Sequence, residues 1–309
     1  MAAGGSTLSV IGAILANLLI AILKFVAATF TGSSAMLSEG IHSIIDTSNG
    51  LLLLLGIKRS KKGANKIHPF GQGKEIYFWS FVVAVLIFAL GGGVAIYEGI
   101  SHLKHPSTDL LNTNVMWNYA VIFGAMIFEG SSLFYAMKQF RKKYPTGFTS
   151  ALEESKDAVS MAIIIEESAA MIGLFIALIG VTLTHFTQNA LYDALGSIAI
   201  GILLFSVAGF LAKETQDLLI GESVSNKDLN MIKNILKNCS KLEFFGNIKS
   251  MHLGPDEVLL ALEVNFKDNV TLHELEKTVA DIKEKIQKID PKFKYIYIES
   301  NSISKSNFN

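Results

Sequence analysis

Apolar residues fall in long unbroken runs over the first 220 residues of the chain and in short periodic patterns after that. Six runs reach spanning length, at 8–31, 34–57, 76–100, 115–136, 158–183 and 191–211. Each supplies the roughly 20 residues that a helix needs to cross a hydrocarbon core of about 30 Å. The link TGSS between the first two runs is too short for anything but a tight helical hairpin. The first run has neither a basic lead segment nor an early cleavage signature, so it is expected to be a retained first helix rather than a signal peptide.

Beyond Lys213 the pattern becomes that of a small soluble domain. Ser225 and Asp228 mark a helix start, and KSMHLG and EVLLALEVNF read as strands, the second alternating Val258, Leu260, Leu262, Val264 and Phe266 on one face. TLHE, from Thr271 to Glu274, is a capping box opening a helix whose Leu275, Val279, Ile282, Ile286 and Ile289 form one stripe. KYIYIES supplies a last strand. The expected fold is an α-helical membrane protein: a domain of six transmembrane helices over 1–213, then a cytoplasmic α+β domain of order αββαβ over 214–309.

Composition agrees: half the residues are hydrophobic and the formal net charge is zero, with 27 basic and 27 acidic side chains. The distribution of basic residues sets an orientation. Lys58, Arg59, Lys61, Lys62, Lys66 and Lys74 follow the second run, and Lys138, Arg141, Lys142 and Lys143 follow the fourth, whereas the opposite loops hold only Lys104. By the positive-inside rule both termini face the cytoplasm, or the matrix of an organelle. A bacterial inner membrane is the expected residence, since no Arg-rich transit segment precedes the first run, and an organellar membrane stays open. The single Cys239 excludes a disulfide framework and a thiolate-rich zinc module, so any metal site must use His and carboxylates.

Ionisable residues at membrane depth are costly, about 2.5 to 3.5 kcal/mol each on insertion scales, and mark function. The runs contain Glu39, Asp46, Glu129, Glu166, Glu167 and Asp193 as acids and Lys24 as the clearest base. An acid excess at that depth suggests a cation path. His42 and Asp46 stand one helical turn apart on one face. Asp46, eleven residues before Ile57, lies roughly 17 Å from the inner boundary, and Glu167, nine residues beyond Ala158, roughly 14 Å from it. The two are expected to meet near mid-membrane. An imidazole with two carboxylates suits a borderline dication such as Zn²⁺, whereas all-oxygen sites favour Mg²⁺, Ca²⁺ or Mn²⁺. The alternative is that these groups hydrogen-bond neighbouring helices and seal the bundle.

The segment SSAMLSEGIHSIIDTSNGLLLLLGIKRS, followed by HPFGQGKE and LYDALGSIAIGILL, resembles the cation diffusion facilitator family. The resemblance implies a homodimeric exporter that exchanges Zn²⁺ or a similar dication for protons by alternating access, with no permanently bound cofactor and no catalysis. It also implies a mid-membrane site built from the second and fifth helices. His42 and Asp46 match the second-helix motif H-x-x-x-D; on the fifth helix Glu167 falls at the usual aspartate and Ile163 where a histidine is common. The adjacent Glu166 and Glu167, HLGPDEVLLALEVNF and the short loop before the fifth run look most like the mitochondrial zinc-transporter 9 branch of that family.

The expected metal set is therefore His42, Asp46 and Glu167 with water as fourth ligand, and Glu166, turned about 100° away, as a neighbour or proton carrier. Glu39, one turn from His42, is a candidate to orient it or hand ions to it, with helix capping as the alternative. Glu129 is expected to make a buried hydrogen bond or interface contact, Asp193 to be structural and Lys24 to snorkel. The family's accessory sites are weak here. His68 remains in HPFGQGKE, but Gln72 stands where a histidine is frequent. His252 matches a family position, yet the later histidines of a binuclear site are missing, so the domain is expected to dimerise by packing.

Loading requires neutral His42 and ionised Asp46 and Glu167, so binding expels protons, and protonation on the far side releases the ion. The expected partners are a second copy of the chain, divalent metal ions and the lipid bilayer, with no nucleic acid. Three rivals remain: a carrier of Mn²⁺, Fe²⁺ or another dication; a non-transporting membrane protein whose soluble domain recruits partners; and an intramembrane metal hydrolase, for which no H-E-x-x-H spacing exists. The missing helix-5 histidine leaves the choice of metal open.

Overall fold

Gly32 closes the hairpin between the first two runs. Its φ of 68° lies in the left-handed region, which glycine enters without penalty, and its N–H donates to the Ala28 carbonyl at 2.8 Å to end the preceding helix. The computed structural model describes residues 3–105, 115–143 and 157–300, with side-chain environments in the first helix from Asn17 onward. The side chains of the first run before Asn17, and that of Lys143 in the basic loop, lie outside the described residues.

The helices are α1 (Ala3–Thr31), α2 (Ser34–Ser60), α3, α4 (Met116–Lys143), α5 (Ala158–Thr187) and α6 (Leu191–Ile220). Within α3, a π-helical stretch Ile87–Gly92 separates the α-helical parts Glu75–Leu86 and Gly93–Lys104. Helices α2 to α6 are each long and apolar enough to cross a membrane, and α1 contributes a shorter apolar stretch, Asn17–Thr31. Their outward faces are as apolar as their inward ones: Ile127, Phe134 and Ile179 are mostly exposed, while Leu174, Ile87 and Ala177 are buried. Helices apolar all round belong in a membrane or a large core. Small residues let the backbones close in. A Cβ added at Gly201 of α6 would stand 2.5 Å from Ile96 and 3.0 Å from the Gly92 carbonyl of α3. Helix α6 runs on to Ile220, past the expected end at 211, through the continuation KETQDLLI.

The chain divides into two compact units. Among the described residues, the first comprises the helices, over 3–58, 76–105, 115–143 and 157–216; the second holds 217–300 together with Arg59–Glu75, which includes the loop between α2 and α3. In the second unit, α7 (Asn226–Lys237), β1 (Leu242–Gly254), β2 (Glu257–Phe266), α8 (Leu272–Ile289) and β3 (Tyr295–Ser300) follow the expected αββαβ order. The sheet order is β1-β2-β3, with β1 antiparallel and β3 parallel to β2. Val258, Leu260, Leu262, Val264 and Phe266 are buried in strict alternation. They pack against Ile282 and Ile286 of α8 and Ile232 and Leu236 of α7, whereas Ile289, at the end of the expected stripe, is exposed. Ser225 caps α7 by accepting from the Asp228 N–H, and Thr271 and Glu274 form the reciprocal capping box of α8. The α2–α3 loop lies on this sheet: Phe70 meets the Tyr295 ring edge-on at 5.2 Å.

Candidate cation site

Helix α2 is fixed at its start by a carboxylate from α6. Asp193 Oδ1 accepts from Ser33 Oγ, and its Oδ2 accepts from the Ser34 N–H at 2.6 Å, Ser34 Oγ at 2.8 Å and the Ala35 N–H at 3.3 Å. These donors include backbone N–H groups that a helix start leaves unsatisfied, and the negative charge suits the positive end of the helix dipole. One turn on, Ser38 Oγ bonds Ser197 Oγ, which donates to the Ala95 carbonyl of α3. Asp193 is therefore structural, as expected, and α2 carries His42 and Asp46 inward from a fixed end.

His42 is 2% exposed. Its Nδ1 lies 3.4 Å from Asp46 Oδ1, yet neither imidazole nitrogen, nor Asp46 Oδ1, has a hydrogen-bond partner among the described residues. Buried polar atoms left in that state cost free energy unless a water or ion completes them. Asp46 faces a cavity of about 430 Å³ whose wall also holds Thr47, Ser132, Ile163, Glu166 and Glu167. Both helix-5 acids are held from neighbouring helices: Asn49 Nδ2 of α2 donates to Glu166 Oε1 at 3.2 Å, and Ser132 Oγ of α4 donates to Glu167 Oε1 at 2.7 Å. Glu167 Oε2 and Asn49 Oδ1 are buried without a hydrogen-bond partner among the described residues.

Asp46, Glu166 and Glu167 thus share one cavity, and His42 stands behind Asp46 rather than in the cavity wall. Among the described residues, no three or more His, Cys, Asp or Glu side chains are drawn together tightly enough to hold a metal ion. Ile163, at the position where the resemblance places a histidine, presents an apolar side chain to the same cavity.

One reading of the buried charges is corrected. Lys24 does not snorkel. It is fully buried, and its Nζ donates to Ser43 Oγ at 2.7 Å, Glu39 Oε2 at 3.1 Å and Glu129 Oε1 at 3.3 Å. Three acceptors inside the bundle replace the water that a snorkelling ammonium would seek. Glu39 gives one oxygen to Lys24, and neither nitrogen of His42 has a hydrogen-bond partner among the described residues. Glu129 makes the expected buried hydrogen bond. Of the accessory positions, His68 is exposed in the α2–α3 loop, and His252 is buried on β1 opposite Val258. Sequence reasoning missed Asn49 and Ser132. The signal for Asn49 was present, a polar side chain three residues after Asp46 in an apolar run; Ser132 had none.

Comparison with known proteins bears on this geometry. Residues 10–220 match the cation efflux transmembrane domain. The chain is 34% identical over 281 residues to the mitochondrial proton-coupled zinc antiporter SLC30A9 of Homo sapiens, covering 90% of this chain and 49% of that one. It is 32% identical over 259 residues to metal tolerance protein C4 of Arabidopsis thaliana, covering 83% and 56%. A more distant relative is the manganese efflux system protein MneP of Bacillus subtilis, 23% identical over 295 residues and covering 91% and 94%. The chain spans about half the length of the zinc antiporter it matches.

Proposed function

Because the chain belongs to the cation efflux family, a family of transporters rather than enzymes, we propose that it is a secondary carrier exporting a divalent cation, Zn²⁺ before other metals, in exchange for protons. One observation carries the reading: Asp46 of α2 and Glu166 and Glu167 of α5 line one cavity inside the helical unit, with the unsatisfied imidazole of His42 directly behind Asp46. A dication entering the cavity would meet carboxylate oxygens first and gain an imidazole nitrogen by a small rotation of the His42–Asp46 face. The nitrogen supports Zn²⁺ over purely oxygen-liking ions.

The chain's own groups do the work. Asn49 and Ser132 hold Glu166 and Glu167 with one oxygen each, leaving the other oxygens for the cargo. Every ligand must be deprotonated to bind and is released by protonation, so one set of side chains serves metal and proton in turn. The reading includes a homodimer as the functional unit, and the basic loops after α2 and α4 support a C-terminal domain on the cytoplasmic or matrix side. Zinc flux into proteoliposomes tests the site. His42→Ala and Asp46→Ala should each abolish zinc-driven proton movement while the protein stays monodisperse, and wild-type flux from both variants sinks the assignment.

A second reading is favoured by Ile163. Its apolar side chain leaves the cavity wall richer in oxygen than in nitrogen, which suits Mn²⁺. Competition between Zn²⁺ and Mn²⁺ for flux separates the two.

A further inference from the structure

Lys24 is the one buried cation described in the helical unit, and it sits among more acids than it can neutralise. Its ammonium, fully buried on α1, joins α2 through Glu39 and Ser43 and α4 through Glu129. With both acids ionised the group still carries a formal negative charge. Neither Glu39 nor Glu129 lines the cavity of Asp46, Glu166 and Glu167. Both are close to it in structure. Glu129 stands about one helical turn before Ser132, which lines the cavity and donates to Glu167, and Glu39 lies one helical turn from His42. The free oxygen of Glu39 is pressed against Gly173 of α5, where an added Cβ would stand 2.3 Å away, so that acid is confined from behind as well as held from the front.

We propose that Lys24 sets the metal preference of the carrier as a positioning residue, by holding Glu129 back so that it cannot join Asp46, Glu166 and Glu167 around the cargo. This rests on the carrier reading above. The physical reason is the cost of an unpaired buried carboxylate, which must find a proton or a cation. With Lys24 present the cation is the ammonium. Without it, the cargo is the cation within reach, and Glu129, one turn from the cavity-lining Ser132, adds another hard oxygen. More oxygen ligands shift a site from Zn²⁺, which favours few ligands and includes nitrogen, toward Mn²⁺. Glu39 is the control: it has the same partner and the same charge, but its other oxygen is closed in by Gly173 of α5.

The test compares two double variants of equal charge. Lys24→Met breaks both ion pairs; with Glu39→Gln it leaves Glu129 as the carboxylate without its cation, and with Glu129→Gln it leaves Glu39. The Mn²⁺-to-Zn²⁺ flux ratio is read in proteoliposomes for both and for wild type. The first variant should raise the ratio about tenfold, the scale of changes just outside a metal's ligands, and the second should keep the wild-type ratio. Equal ratios in all three proteins, or an equal rise in both variants, overturn the proposal while leaving the carrier reading intact. Absence of any dication flux in wild type overturns both. Glu129→Gln alone, with Lys24 retained, gives a separate check that does not depend on the double variants folding: the ratio should not move, and a shift refutes the idea that Lys24 keeps Glu129 out.

Discussion

Asn49 Nδ2 donates to Glu166 Oε1 at 3.2 Å, joining α2 to α5 three residues past Asp46. The bond leaves Glu166 a second oxygen, and it holds the acid from the same helix that carries His42 and Asp46. Asn49→Ala frees Glu166 to rotate. The apparent affinity for Zn²⁺ in a flux assay should fall about tenfold, as for other residues that support metal ligands, with a smaller effect on the maximal rate. An unchanged affinity means that Glu166 needs no support from α2.

Ile163 gives the reverse experiment. Ile163→His introduces an imidazole into the cavity wall shared by Asp46, Glu166 and Glu167. Nitrogen ligation favours Zn²⁺ over Mn²⁺, so the Zn²⁺-to-Mn²⁺ flux ratio should rise severalfold. A ratio that stays put places the cargo elsewhere in the helical unit.

Asp193→Ala should cost about 1–3 kcal/mol of stability, the penalty for leaving buried donors unpaired, because Ser33, Ser34 and Ala35 all give hydrogen bonds to that carboxylate. Chemical unfolding in detergent micelles reads the loss directly. Asp193→Asn, which keeps acceptor capacity on one oxygen, should recover part of it.

In the C-terminal domain, the Glu274 carboxyl is pushed down to about 2 by the hydrogen bond from Lys241, by the Thr271 N–H and hydroxyl, and by the Lys241 charge. A carboxyl held below its unfolded value of 4.5 stabilises the fold fully above that value and stops doing so as pH falls through about 2. The gap in melting temperature between wild type and Glu274→Gln should therefore be constant near neutral pH and close progressively between pH 4.5 and pH 2. A gap that persists at the acid end rules out the carboxylate as its source.

The spans, the αββαβ order and the strand face of β2 were readable because each is written locally, in run length or in a period of two or 3.6 residues. Helix arithmetic also brought Asp46 and Glu167 to similar depth, and the two do share a cavity. What could not be read was rotation. Lys24 meets Glu39 and Glu129 across 15 and 105 residues of sequence, and nothing in an apolar run says which face of a helix its single charge takes. For the same reason nothing in the run says that Glu39, one turn from His42, takes Lys24 as its partner. Glu166 and Glu167 were ranked by an ideal helix, yet both line the cavity, because a cavity wall is wider than the angle between successive residues.

The Asp193 clasp makes the start of α2 a pivot. Gripped by three successive residues there, the helix cannot slide along α6 without breaking every one of those bonds, but its free length can swing. Asp46 is twelve residues from Ser34, a lever arm of about 18 Å. A tilt of only about 5° would carry its carboxylate some ~1.6 Å sideways on that arm, far more than the ~0.2 Å by which a metal–ligand distance tolerates error. With one end clamped, a slight lean of a single helix is enough to make or unmake a coordination shell.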